Sequence, residues 1–185
     1  YVGSYANLVI NDIDIRSNHI GTESGNENQN GGGISCEGKM QLNGGRIRDN
    51  SATHGGGIIL TGKANVTIND CIISGNYVSV KETGRGGAIY INSSNVRLFL
   101  LGGSITKTAY STDNAAYLGV YCDESVTPDL YIGGSVVCLV KNSSSKKVVS
   151  GFFLYNNQYV KILEDLQQTY SGAQICFYVP DTTRT

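Results

Sequence analysis

The sequence predicts an all-β fold, a right-handed single-stranded parallel β-helix (a solenoid) of about five to six coils with a C-terminal closing segment. Three observations carry this. A Gly-Gly-(Gly/Ala)-Ile motif recurs along the chain. A second motif, Ile-x-x-Asn, interleaves with it. Between them lie short alternating apolar segments rich in β-branched residues, the composition of half-buried strands.

The first motif runs Gly31-Gly32-Gly33-Ile34, Gly55-Gly56-Gly57-Ile58 and Gly86-Gly87-Ala88-Ile89, with degraded copies at Leu118-Gly119-Val120 and Gly151-Phe152-Phe153. The second runs Ile15 to Asn18, Ile47 to Asn50, Ile73 to Asn76 and Ile105 to Thr108, with Val140-Lys141-Asn142 as its expected last member. Asn18 to Asn50 is 32 residues, Asn50 to Asn76 is 26 and Ile34 to Ile58 is 24. The period is loose but the order of parts is constant.

Each unit begins with the glycine step and an apolar strand. The glycines let the chain turn a corner at low steric cost. A polar turn and an alternating strand follow: Met40-x-Leu42, Val66-x-Ile68, Val96-x-Leu98-x-Leu100, Leu130-x-Ile132. A third short strand ends in the recurring Asn, whose side-chain amides are expected to bond up and down the stack as a ladder. Thr108 should interrupt it. Such short strands bury a face only if equivalent strands of successive units pair, about 4.8 Å apart. Cys36 and Cys122 fall where other units carry Leu60 and Ile91, so they read as small interior hydrophobes. No window shows convincing helical periodicity; Val160 to Gln168 comes nearest and alternates equally well.

Composition excludes several functions. The net charge is −1, with no concentrated basic patch, so no nucleic-acid partner is expected. No apolar stretch is long enough to cross a membrane, so no membrane insertion is expected. The five cysteines form no CxxC pair and read as buried thiols rather than a disulfide framework. Residues 1–185 read as one domain, and the opening inside a strand-like pattern makes it the expected C-terminal part of a longer solenoid. The segment 166–185 breaks the repeat and reads as the closing or capping piece. An uncapped first coil is a place for end-to-end self-association.

The pairing of Gly55-Gly56-Gly57-Ile58 with Ile73-Ser74-Gly75-Asn76 resembles the repeats of chlamydial polymorphic outer-membrane proteins. It also resembles β-helix repeats of large surface proteins from gut Firmicutes and adhesin-like proteins of related anaerobes. Phe153-Leu154, Lys161-Ile162 and Ala173 to Phe177 fit the closing coil of such proteins. The resemblance covers nearly the whole chain, most weakly between Thr108 and Ser150. It implies an extracellular or cell-surface setting with attachment or display, and carries over no catalytic residue.

The same architecture serves polysaccharide lyases and hydrolases, so an enzyme is the competing reading. Their chemistry needs carboxylates at equivalent positions of adjacent coils. Here Asp70 is replaced by Gly44 and Gly102, and Asp49 by Gly75 and Lys107. Asp12 and Asp14 could form a carboxylate pair if they share a strand face. Asp123, Glu124 and Asp129 read as solvated turn residues. His19 and His54, the only histidines, read as surface loop residues at different offsets, and neither a metal nor a cofactor is expected. Asn65, Asn92 and Asn142 open glycosylation sequons by pattern, idle in a bacterial protein.

The positions most open to function are the long segments after the ladder: His19–Asn30, Tyr77–Arg85, Ala109–Leu118 and Ser143–Ser150. All leave the same corner, where solenoids often place binding. Tyr77, Tyr110 and Tyr117 lie in them and are the candidate ligand-binding residues. Exposed Tyr stacks on sugar rings or anchors a protein contact; the alternative role is packing the loops onto the coil. The expected function is a non-enzymatic surface adhesin or display module. Its partner would be a host or environmental glycan or a surface protein. A passive stalk is the third reading.

Overall fold

The computed structural model describes residues 1–20, 30–79, 84–106, 119–138, 140–141, 148–155, 157–163, 175 and 177–178. Among these every regular element is a strand, and the strands stack in parallel into three walls of a solenoid. The first wall joins Ile34–Cys36, Ile58–Leu60, Ile89–Ile91, Val120–Cys122, Phe152–Phe153 and Phe177–Tyr178. The second joins Asn7–Asn11, Lys39–Asn43, Asn65–Asn69, Arg97–Leu100, Asp129–Ile132 and Val160–Ile162. The third joins Asp14–Arg16, Arg46–Arg48, Ile72–Ser74, Gly103–Thr106 and Val136–Cys138. Four turns, those opening at Ile34, Ile58, Ile89 and Val120, have a strand on each wall, and incomplete turns flank them. The whole matches the expected five to six coils when the incomplete turns are included.

The alternating apolar segments form the second wall in the expected register. Met40 stacks on Val66, Leu98 and Leu130, and Leu42 on Ile68, Leu100 and Ile132. The isoleucines of the ladder motif form the third wall's interior column, Ile15–Ile47–Ile73–Ile105, which Cys138 continues. On the first wall Cys36, Leu60, Ile91 and Cys122 share one column, as their sequence positions require. These columns meet in one continuous core whose central members are almost entirely buried. Pairing like with like stacks side chains of similar shape and removes their apolar area from water on both rungs.

One register differs from the sequence reading. Cys138, not Val140, aligns with Ile105. Val140–Lys141 instead pairs antiparallel with Val148–Ser150. The repeat had decayed enough there that the Val-Lys-Asn triplet matched the motif by composition alone.

The turn between the second and third walls carries the acids. Asp12, Gly44, Asp70 and Gly102 occupy successive rungs. Asp12 and Asp70 adopt φ of 51° and 53°, the left-handed region that Asp tolerates better than most residues. At Gly44 (φ +70°) an added Cβ would lie 2.3 Å from the Asp12 carboxylate, so the glycine is required both by backbone and by its neighbour. Asp12 and Asp14 therefore share no strand face, because the strand ends at Asn11 and the turn separates them.

Candidate functional site

The candidate site is the corner that follows the third wall. It is anchored by the Asn ladder. Asn50 and Asn76 are fully buried. The Asn18 amide nitrogen donates to Asn50 Oδ1 at 2.9 Å, and that of Asn50 to Asn76 Oδ1 at 2.9 Å. Each Oδ1 also accepts the backbone N–H of the preceding ladder residue, at 3.1 and 3.0 Å. The second amide hydrogens reach back to Ile15 O at 3.0 Å and Ile47 O at 2.8 Å. The inward-turned backbone of the bend is thus satisfied from rung to rung. Thr108 and Asn142 lie outside the described residues.

The coil does not leave its register at the ladder, as the sequence suggested. His19, Ser51 and Tyr77 form the next column, through a bridge and the pairing of Ser51–Ala52 with Tyr77–Val78. His19 Nδ1 lies 2.8 Å from Ser51 Oγ and 3.5 Å from the Tyr77 hydroxyl. The two rings stand 6.2 Å apart. Tyr77 is half-buried and His19 exposed, so the corner offers a hydroxyl and an imidazole side by side. Tyr110 and Tyr117, the other candidate ligand-binding residues, lie outside the described residues. The return flank is equally ordered: Asn30, His54 and Arg85 bridge in one column just before the glycine steps.

His54 is not a surface loop residue. Its ring stacks on Tyr90 with centroids 4.9 Å apart and 26° between planes. Burial, and next the charge of Arg85, hold its pKa below the usual 6.5, against a small opposing pull from Asp123. Its place in a short return segment, rather than a long loop, decides this: only residues 51–54 separate Asn50 from the glycine step.

Tyr90 belongs to an outward-facing column that sequence reading passed over: Ile59, Tyr90, Tyr121 and Phe153, with Tyr155 beside it. Alternation predicts these middle residues to be solvent-facing, yet all four column members are at most 5% exposed. From Ile58 to Phe153 the strands of the first wall are buried on both sides. Tyr121 stacks on Phe153 at 4.9 Å, and the Arg85 guanidinium carbon stands 5.8 Å from the Tyr121 ring centroid. The Tyr90 hydroxyl donates to Asp123 Oδ2 at 2.9 Å, and the Tyr121 and Tyr155 hydroxyls lie 2.9 Å apart. Burial raises the pKa of both Tyr90 and Tyr121, reinforced by these hydroxyl contacts. The signal was present in the sequence, since the middle residue of each aligned strand turns aromatic from Tyr90 onward.

The acids are engaged singly. Although partial burial pushes Asp123 upward, hydrogen bonds from Ser125 and Tyr90 outweigh it and hold its pKa below the ordinary value. Asp129 bonds Lys161 Nζ at 2.7 Å and lies 3.6 Å from Arg97 Nε. Asp14 accepts two bonds from Arg48, at 3.1 and 2.9 Å. Opposite charges meet on adjacent rungs in these pairs. Asp12 and Asp70 stand two rungs apart, about 9–10 Å, with Gly44 between them. No group of three or more His, Cys, Asp or Glu comes together among the described residues. The second wall carries a smaller exposed feature, in which Phe99 stacks on Tyr131 at 4.5 Å and Lys161 Nζ stands 5.0 Å from the Tyr131 centroid.

Residues 70–92 match the family profile of the Chlamydia polymorphic membrane protein repeat. The matched stretch runs from the Asp70 turn through the third-wall strand, Asn76, the corner and the glycine step to Asn92, just past the strand Ile89–Ile91. A repeat of this kind fits the stacked parallel walls. The comparisons with curated proteins and with solved structures gave no match.

Proposed function

We propose that this protein is a surface-displayed, non-enzymatic β-helix module that binds a glycan or a surface protein through the corner following the Asn ladder. One observation carries the reading: variation in length is largest at that corner, while the turn from the first to the second wall changes by only a few residues, from Cys36–Met40 to Cys122–Leu130. The three walls keep their register from coil to coil, while the path from ladder to glycine step changes from Asn18–Gly31 to Asn50–Gly55 to Asn76–Gly86. A scaffold under purely structural demands has no use for such unequal excursions at one edge, whereas a recognition edge does. The polymorphic membrane protein repeat supports a setting at the outer membrane or cell surface. The Tyr77–His19–Ser51 column supplies an aromatic ring with polar neighbours, a combination suited to sugar hydroxyls and ring faces.

The reading as a polysaccharide-processing enzyme fits the described carboxylates poorly. Asp14 and Asp129 are neutralised by basic side chains and Asp123 is held by hydroxyl donors, while acid/base work needs carboxylates facing a shared substrate. The test is a glycan-array and host-glycoprotein screen on the purified protein, beside a variant with Tyr77, Tyr110 and Tyr117 changed to Ala. Binding that falls at least about tenfold in a folded variant supports the edge; a tenfold loss corresponds to about 1.4 kcal/mol. Binding unchanged in the variant moves the site elsewhere. No binding to any probe favours a passive stalk.

A further inference from the structure

The His54 slot combines features that the binding reading does not use. The residue is fixed in the return column between Asn30 and Arg85, and its ring lies flat on Tyr90. Its Nδ1 is buried without a hydrogen-bond partner, and Asn30 Oδ1, on the neighbouring rung, is likewise buried and unpartnered. A neutral ring tolerates this, because an unprotonated Nδ1 leaves only a lone pair unused. A protonated ring does not. Protonation places an N–H at a buried position where Nδ1 has no hydrogen-bond partner and adds a second positive charge beside the Arg85 guanidinium. The charged and titratable groups facing the ring are Arg85 on the next rung, and Tyr90 and Asp123 on the first wall. Asp123 is the anion among them, but its carboxylate already accepts from the Tyr90 hydroxyl and from Ser125.

We infer that His54 is an acid-sensitive latch. As a neutral ring it clamps the return flank of the corner against the aromatic wall. As an imidazolium it leaves the slot and loosens that flank. Two backbone bonds report the state of the latch directly: Gly31 N–H donates to His54 O at 2.9 Å, and Gly55 N–H to Arg85 O at 3.0 Å. Opening the slot frees both. The latch itself is independent of what the corner binds. Only its consequence, that mild acid would change ligand affinity, rests on the binding reading above.

The sign follows from linkage. A histidine whose folded pKa lies below its unfolded value near 6.5 takes up its proton more readily in the open state. Stability of the corner is fully present above pH 6.5 and declines as pH falls from there toward the folded pKa.

The experiment follows the imidazole resonances of His54 by NMR and the hydrogen exchange of the Gly31 and Gly55 amides, between pH 7.5 and 4.5, after correction for intrinsic exchange. The wild type is compared with His54→Gln, which cannot titrate. Expected is a His54 midpoint below 6.5. Exchange at Gly31 and Gly55 should accelerate by about tenfold for each unit that the midpoint is depressed. The Tyr77 amide, bonded to Asn50 O at 3.0 Å, should not follow. His54→Gln should show no acid acceleration. A His54 midpoint at or above 6.5 overturns the inference even if the variant fails to fold. So does the same acid response in wild type and His54→Gln. Neither readout depends on a ligand, so absence of binding in the glycan screen would leave this result standing.

Discussion

Asn50→Ala removes the central rung of the described Asn ladder, and its cost can be worked from the geometry. The side chain takes part in four hydrogen bonds: it accepts from Asn18 N and Nδ2 and donates to Ile15 O and Asn76 Oδ1. At about 1 kcal/mol net for each, the loss is roughly 4 kcal/mol, and the groups left unsatisfied at a fully buried position push it upward. A domain has about 5–15 kcal/mol in total, so the variant should retain the fold with a much lower urea midpoint. Asn18→Ala is the internal control. Asn18 is exposed, and its truncation removes the amide bond to Asn50 while the backbone donor remains, for roughly 1 kcal/mol. Urea unfolding followed by circular dichroism measures both, with an unchanged m-value required for the comparison. Equal costs for the two variants, or a cost below about 1.5 kcal/mol for Asn50→Ala, would refute the ladder as a stabilising network. Asn50→Asp sharpens the test. It keeps the acceptor but sets a carboxylate against Asn76 Oδ1 and Ile15 O, so the damage should lessen as the new carboxyl protonates in acid.

Gly44→Ala should destabilise by at least about 1 kcal/mol, because it combines a left-handed φ with a 2.3 Å approach to the Asp12 carboxylate; adding Asp12→Gly should recover part of the loss in a double-mutant cycle. The free thiols of Cys71 and Cys122 are pushed up by burial, to about 11 and about 12, so native protein at pH 8 should react with an aromatic disulfide reagent far more slowly than urea-unfolded protein; equal rates would contradict the packing. Tyr90 and Tyr121 are raised above the ordinary value of 10 by burial, so the unfolded chain ionises them first and stability should decline as pH rises above about 10, with phenolate absorbance for these two appearing only together with unfolding. Replacing Tyr90 with Phe should abolish part of that alkaline sensitivity and loosen Asp123, measurable as a higher midpoint for acid unfolding in the carboxylate range.

The repeat made most of the fold legible. The two motifs located the glycine step, the ladder and the alternating wall. The columns Met40–Val66–Leu98–Leu130 and Cys36–Leu60–Ile91–Cys122 follow from aligning the units. Legibility failed where the repeat decays, so Val140 took the place that belongs to Cys138. The candidate site was legible only in outline. The common corner and Tyr77 were visible, but the pairing of Tyr77 with Ser51 and its approach to His19 were not.

By itself the sequence determined the stacking, because identical short strands must pair with their equivalents to bury an interior, and periodicity is a local property that a single chain displays. Tertiary structure decided the second buried surface, of which the sequence carried only the aromatic trend from Tyr90 onward. Whether Tyr90, Tyr121 and Phe153 meet water depends on His54, Arg85 and Tyr155, which lie against them, and alternation within a strand carries no information about such neighbours. The same holds for His54 and the acids. Their chemistry is set largely by neighbours one rung away, some 24 to 36 residues distant in sequence, and only folding brings those neighbours within reach.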